Sequence, residues 1–478
     1  GAGGAGVAAV LNSQSGSNGG AGRTSSITGT SVLYAGGGGG GLNGASGWSN
    51  GSPGLGMAGG GNGGTSADRP GGVTPQVGGN AADNSGSGGG GASNWGLGGS
   101  GGSGIVILRY LGATGASPYT VQSFTSSGTL GALSATFSGA ISGTGSFVSN
   151  PSAGGKFIFT ANNSYTGGST ISSGTLQVGN GGATGTLGSL TATGTVTNNA
   201  ALIFSRTGNT GYAAPFAGTG TLTVNTGGLT LKGLSTYSGV TTVTNTDNSI
   251  TFANNTPPST PRFSGNGTVT IAPAASSAFT NAFTSSYTFD NTLTGLTLGS
   301  TTNTQDMTVG SAIRIAGPIT MYGGNITLNA DLTSTGLNSP IQLLARGYIS
   351  NILSLRTITT NGGAVLLAGD TDGNDSGQIR FMNGLTIDTR LGLAGSKSTA
   401  TTGGGAITLA GGNLAGTGYA AGTSATWAEG IRVDYGLTMY SGGGDIIARG
   451  KALTGTNGWR AGITMWTNVQ VNSGPGEI

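Results

Sequence analysis

Asp370, Asp372, Asn374 and Asp375 sit in the run Gly369-Asp-Thr-Asp-Gly-Asn-Asp-Ser-Gly377. Alternating oxygens on a tight loop are what a Ca²⁺ ion takes as ligands. The spacing departs from a helix-loop-helix calcium site. Asp375 stands where the sixth-position glycine belongs, and Phe381 stands where the bidentate glutamate belongs. A bare turn fits the same residues; if a cation binds this chain, this loop is the place for it. The best candidate pair for acid–base chemistry is Asp331 and Asp370, each eight residues after the first glycine of a Gly-Gly motif. Equal register would set them two strand spacings apart, about 9.6 Å, near the upper limit for an inverting glycosidase pair. Two turn aspartates at equivalent corners explain the spacing equally well. Trp427, Trp459 and Trp466 cluster with Tyr419, Tyr435 and Tyr440 near the C-terminal end. They suit a strip for stacking sugars or docking a protein, or else they fill and flank the core.

Other chemistries are closed. With no histidine and no cysteine, thiol catalysis, Ser-His-Asp triads, disulfides and His- or Cys-ligated metals are impossible within the chain. None of the fourteen carboxylates lies between Asp83 and Asp247, so that stretch has none for proton transfer. Gly54-Leu-Gly-Met-Ala-Gly59 and Gly98-Gly-Ser-Gly-Gly102 match dinucleotide and nucleophile-elbow patterns only because glycine is so frequent there. The formal charge of +3 comes without a Lys/Arg cluster, so nucleic-acid binding is unsupported. The apolar run ending at Leu108 is too short to cross a bilayer.

The elements that must position these residues follow from glycine. Residues 1–110 hold 40 of the 103 glycines, a density that only backbone-to-backbone packing can use. Extended glycine helices with three residues per turn, bonded laterally as in polyglycine II, would satisfy their amides. From 111 on, glycine thins out. Short alternating strands such as Gly174-Thr-Leu-Gln-Val178 and Gly220-Thr-Leu-Thr-Val224 appear between turn residues. Ser164-Tyr-Thr-Gly-Gly-Ser-Thr-Ile171 repeats as Thr236-Tyr-Ser-Gly-Val-Thr-Thr-Val243. Further on, Gly-Gly motifs at 323, 362, 404 and 443 recur about every 40 residues. Offset strands lie between them: Ile341-Gln-Leu343, Ile379-Arg-Phe381, Ile431-Arg-Val433 and Ile463-Thr-Met465. The period predicts two coils of about 20 residues per repeat, and roughly 18 coils after residue 110. The insertion 411–428 predicts a protruding loop.

Three resemblances rest on these residues. Asn163-Ser-Tyr-Thr-Gly-Gly-Ser-Thr-Ile171, Ser173-Gly-Thr-Leu-Gln-Val-Gly-Asn180 and Gly194-Thr-Val-Thr-Asn-Asn199 resemble the autotransporter-associated β-strand repeat. Ile315-Ala-Gly-Pro-Ile-Thr-Met-Tyr-Gly-Gly-Asn-Ile-Thr-Leu328 is similar to the filamentous-haemagglutinin type of β-helix. Asn18-Gly-Gly-Ala-Gly22, Val32-Leu-Tyr-Ala-Gly36 and Gly101-Gly-Ser-Gly-Ile-Val-Ile-Leu-Arg-Tyr110 resemble glycine-rich domains of bacterial surface proteins and phage tail-tip adhesins. Together they imply an all-β chain, a right-handed parallel β-helix preceded by a polyglycine-II-like domain. The expected divisions are 1–110, 111–260, 261–309 with irregular coils, and 310–478. The expected protein is a non-enzymatic, extracellular, adhesive rod at a bacterial surface or in a matrix, a piece of a longer secreted chain. Its partners would be copies of itself and surface glycans or receptors, with no membrane insertion. The alternatives are a carbohydrate-binding or polysaccharide-cleaving β-helix of the phage tailspike kind, or an autotransporter passenger.

Overall fold

The computed structural model describes residues 5–7, 15–27, 30–42, 51–65, 67–69, 72–74, 76–93, 96–104, 106–110, 120–124, 134–151, 154–191, 194–351, 354–392, 402–424, 428–453 and 461–478. Every regular element among them is a β-strand. No helix is long and apolar enough to cross a membrane. Two compact units emerge, Gly1–Leu130 and Gly131–Ile478. The divide lies past residue 110 because Val106–Tyr110 pairs antiparallel with Thr120–Phe124, which keeps that hairpin in the first unit.

In the second unit most strands are short, and they pair in parallel with strands of neighbouring coils. A strand such as Thr268–Ala272 alternates half-buried and buried residues, so one side faces a core. Its amides are satisfied only by neighbouring coils, so the coils must stack. Each coil contributes to three faces. The first face climbs from Ser134–Phe137 through Lys156–Phe159 and Thr175–Val178 to Thr288–Phe289. It continues from Ile313–Ile315 to Val469–Asn472. The second holds Ser249–Ala253, Thr268–Ala272, Gly295–Leu298, Ile319–Gly323 and onward to Ile446–Ala448. The third includes Phe147–Ser149, Ser169–Ile171 and, higher up, Phe283–Ser285 to Ile463–Met465. The long strands Ala201–Tyr212 and Thr221–Leu231 turn a corner, with register shifts after Phe204, and so join the first two faces into one sheet of 16 strands.

Inward residues align vertically. On the third face Phe283, Met307, Ile326, Ile349, Ile379, Ile431 and Ile463 form one column. In the lower half aromatics fill the prism. Phe263 is fully buried, 5.4 Å from a stacked Phe289 and 5.5 Å from an edge-on Tyr287. The two related repeats use one device. Tyr165 and Tyr237 fold inward and meet the hydroxyls of Ser169 (2.7 Å) and Thr241 (2.6 Å), four residues on. Asn163 ties three coils together: it accepts from the Ile141 amide (2.8 Å) and donates to the Thr186 carbonyl (2.7 Å).

The 40-residue period is corrected by the pairing. Val365 lies directly against Ile407, and Ile407 against Ile446, so each step of about 40 residues is one enlarged coil rather than two. The first interval of the motif is not a coil at all. Ile326 belongs to the third face and Val365 to the second. Lower coils are short, as in Lys156 against Thr175. Among the described residues the first face therefore has fourteen strands, fewer than the 18 coils expected, because insertions lengthen the later coils. Asp331, before a first-face strand, and Asp370, after a second-face strand, do not share a register.

The first unit uses glycine differently. Within 36–42 the amides of Gly37 and Gly40 donate to Gly20 and Ser17, while those of Gly39 and Leu42 donate to Gly61 and Gly64. The carbonyls of Gly36 and Gly39 accept from Gly88 and Gly91, and those of Gly37 and Gly40 from Met57 and Gly54. Each neighbouring run is thus met every third residue, and four runs surround one. The approach leaves no room for a side chain. A methyl group on Gly38 would be driven into the Gly89 carbonyl, and one on Gly41 into that of Ala92.

Candidate binding surface

Charge is concentrated on the enlarged coils. Fifteen of the 31 charged residues fall between Arg346 and Lys451, so specific polar recognition has most to work with there. Insertions recur at the corner between the second face and the third, and a further one, 389–406, lies between the first face and the second. Those at the former corner comprise Arg346–Tyr348, then 370–378, 412–430 and 449–462.

The aspartate loop occupies this corner and is closed on itself. Asp370 is 1% exposed, with its backbone in the left-handed region at φ 55°. One oxygen accepts from the amides of Asn374 (3.0 Å) and Ser376 (3.3 Å). Burial pushes its carboxyl above the usual range, and those amides oppose the shift. Asp372 accepts from Asn374 (3.2 Å) and faces Arg346 (3.2 Å). Asp375 faces Lys451 (2.8 Å), two enlarged coils on. Side chains of both signs thus pin the loop to its neighbours. Among the described residues no three acidic groups converge to hold a metal ion. The oxygens of Asp370, Asp372 and Asp375, which the sequence offered with Asn374 as calcium ligands, thus face backbone amides, Arg346 and Lys451.

The third face carries the densest charge. Arg380 and Arg432 are register partners on adjacent coils and point outward between buried neighbours. Two guanidinium groups so placed repel, and Asp434 sits between them. It accepts from Arg432 Nε (2.6 Å) and from Arg380 Nε and Nη2 (3.0 Å each). Glu429 adds a contact 3.5 Å from Arg432. Burial works against the charge on Arg432, but Asp434 and Glu429 outweigh it and raise its pKa. The strands Ile379-Arg-Phe381 and Ile431-Arg-Val433 carried this signal in the sequence; what was missing was that they are adjacent coils.

The aromatic residues divide among several places. Tyr435 and Trp466 are 58% and 65% exposed on neighbouring coils, where the Trp466 amide donates to the Val433 carbonyl (3.0 Å). Arg432 lies 6.0 Å from the centre of the Trp466 ring. Tyr440 is on the first face, beneath the guanidinium of Arg390 (4.4 Å), which also grips Asp388 through two bonds of 3.0 and 2.8 Å. Tyr419 is exposed on the corner insertion. Trp427 and Trp459 lie outside the described residues.

The insertion does not simply protrude. Gly411 and Gly418 form an antiparallel bridge, and Ala420–Ala421 pairs with Gly450–Lys451 of the next coil. Gly416 comes so close to Leu366 that a methyl group there would collide with its side chain. The loop therefore lies back across the second face.

Comparison with known proteins fits this architecture. Residues 154–178 match the passenger-associated-transport-repeat family. That segment is one coil plus the following strand, from Lys156–Phe159 through Tyr165 to Thr175–Val178. A stretch of 61 residues, 13% of this chain, is 49% identical to the adhesin BmaC autotransporter of Brucella suis biovar 1 (strain 1330). The match spans about 2% of that protein. No solved structure matches the chain. Residues 154–178 thus carry an autotransporter-associated repeat, and the protein is surface-exposed or secreted outside the cell.

Proposed function

We propose that the chain is a non-enzymatic adhesive rod, a right-handed parallel β-helix preceded by a polyglycine-II bundle. It displays a binding surface away from the cell and associates with copies of itself into fibres or a matrix. The observation that carries this reading is the three-faced parallel stack from 134 to 472, joined through most of its length by the sheet of 16 strands, with an aliphatic and aromatic interior. Thirteen steps between coils give a stiff unit about 60 Å long at strand spacing. The polyglycine-II reading is supported by the three-residue period of lateral bonds in the first unit.

The non-catalytic reading is supported by the disposition of carboxylates. Asp372, Asp375, Asp388, Asp434 and Glu429 each face a cation, and Asp331 and Asp370 lie on different faces. A carboxylate held by a guanidinium is a poor proton shuttle near neutral pH. The relative's printed name, an adhesin, supports the adhesive part.

The test is retention of purified protein on immobilised cells and glycans, with electron micrographs of the same sample. Retention together with filaments of regular axial repeat is the expected result. Release of sugar from a polysaccharide would overturn the non-enzymatic reading, and absence of retention the adhesive one.

A further inference from the structure

Run 36–42 of the glycine unit repeats every three residues, and its neighbours use two of the three positions. The amides of Gly37 and Gly40 go to one run and those of Gly39 and Leu42 to another. Gly38 and Gly41 have no partner for amide or carbonyl among the described residues. Run 86–93 has the same gap. Gly88 and Gly91 donate to run 36–42 and Gly90 donates to Gly79, while Gly89 and Ala92 are unpaired. The two gaps lie side by side, since a methyl group on Gly38 would strike the Gly89 carbonyl and one on Gly41 that of Ala92. Four residues with nothing larger than a methyl side chain thus form one bare strip of backbone. Its donors and acceptors recur about every 9 Å at the rise of an extended three-residue helix. Gly88 is exposed beside it, and a Cβ there would lie 3.1 Å from the Gly38 nitrogen.

We propose that this strip docks against the same strip of a second copy, backbone to backbone, which names a surface for the self-association proposed above and rests on that reading. A row of unpaired amides and carbonyls is a template for another chain, as the edge of a sheet is. Elsewhere in the unit that tendency is blocked. Side-chain oxygens cap outward amides: Asn18 that of Leu55 (2.7 Å), Asn62 that of Gly56 (2.9 Å) and Asn80 that of Ser100 (2.8 Å). Asn62, Val77 and Asn80 leave their own amides unpaired, but their exposed residues carry side chains that hold a partner off. The strip has neither device, and runs 36–42 and 86–93 contain no charged residue to repel a copy. Its spacing selects the occupant. Only another extended run with a three-residue period meets donors and acceptors so placed, and close approach excludes larger side chains there, as the collisions inside the bundle do. A second copy supplies such runs. Each open residue offers one donor and one acceptor, so the strip can complement itself about a two-fold axis.

The experiment is sedimentation of the full chain over a range of concentrations, with hydrogen exchange read by mass spectrometry on the same samples. Association of wild type is expected, unweakened at high salt because no charge pair carries it. Dilution should speed exchange in segments 36–42 and 86–93. Gly88→Glu sets a charged side chain over the strip and should weaken association by at least about tenfold. Gly145→Glu, in the solenoid with nothing within 4 Å of its Cβ, should leave it unchanged. Limited proteolysis shows whether the glycine unit of Gly88→Glu stays folded; if it does not, the exchange pattern of wild type decides alone. Undiminished association of a folded Gly88→Glu, or exchange in the two segments that ignores concentration, overturns the strip. Filaments that form in either case mean that copies meet elsewhere, and self-association stands without it. A wild type that stays monomeric throughout removes both, while retention on cells is read separately and tests the adhesive reading.

Discussion

The glycine-rich unit and the solenoid solve the same problem in opposite ways. Both must satisfy a backbone that has little helix. In the solenoid, amides point along the stack to the coil above or below, and side chains alternate between core and solvent. In the glycine unit, the amides of one run donate to two neighbouring runs and its carbonyls accept from two more, so backbone occupies the place where side chains would go. Stability in the first case comes from burying side chains; in the second, from hydrogen bonds and close packing that any side chain would break. The same residue type is therefore a structural necessity in one unit and mostly a turn device in the other.

Substitution of glycine separates the two most sharply. Gly39→Val drives its side chain into the Gly54 carbonyl and is expected to cost more than about 4 kcal/mol, enough to unfold the bundle. Gly145→Ala, in the solenoid, meets nothing within 4 Å and is expected to stay within about 0.5 kcal/mol of wild type. Limited proteolysis of each unit, with melting curves, reads both; equal sensitivity would erase the distinction. Next in size, Phe263→Ala empties a fully buried site among Phe252, Tyr287 and Phe289. About 3–5 kcal/mol should be lost by chemical denaturation, in the solenoid transition alone.

Alkali should act on the solenoid in particular. Burial pushes the Tyr165 phenol up to about 12 from its ordinary value of 10.0, and the buried phenols of Tyr212, Tyr237 and Tyr287 rise as well. A raised folded-state pKa means this stability is intact below pH 10 and is lost as the pH climbs towards 12. Tyr165→Phe should flatten part of that decline while costing about 1 kcal/mol at neutral pH through the lost bond to Ser169. Unfolding curves across this window check both signs. The smallest effect belongs to the corner pair: Asp372→Asn, opposite a part-exposed Arg346, should change stability by less than about 1 kcal/mol and less still at high salt.

The strands were legible because inward positions in a narrow prism must alternate, as in Gly220-Thr-Leu-Thr-Val224. The Tyr165 and Tyr237 repeats were legible because one inward-folded tyrosine demands the same neighbours each time. The length of a coil was not. Gly-Gly motifs mark turns, and a turn can begin any face; only pairing distinguishes a second coil from an insertion within one. The aspartate loop was legible as a turn, but its pairing with Arg346 and Lys451 depends on which coils lie beside it.

The stacking of enlarged coils is the claim on which the rod and the arginine pair both depend. The chain has no cysteine, so a double substitution tests it cleanly. Thr386 and Thr438 are register partners on the first face, 52 residues apart in sequence. If one coil separates them, Thr386→Cys with Thr438→Cys oxidises to an intramolecular disulfide under mild conditions, because adjacent strands meet the distance a disulfide needs. Thr357→Cys with Thr438→Cys, one coil further apart, stays reduced. Two free thiols in the first variant, or a disulfide in the second, would contradict the stack.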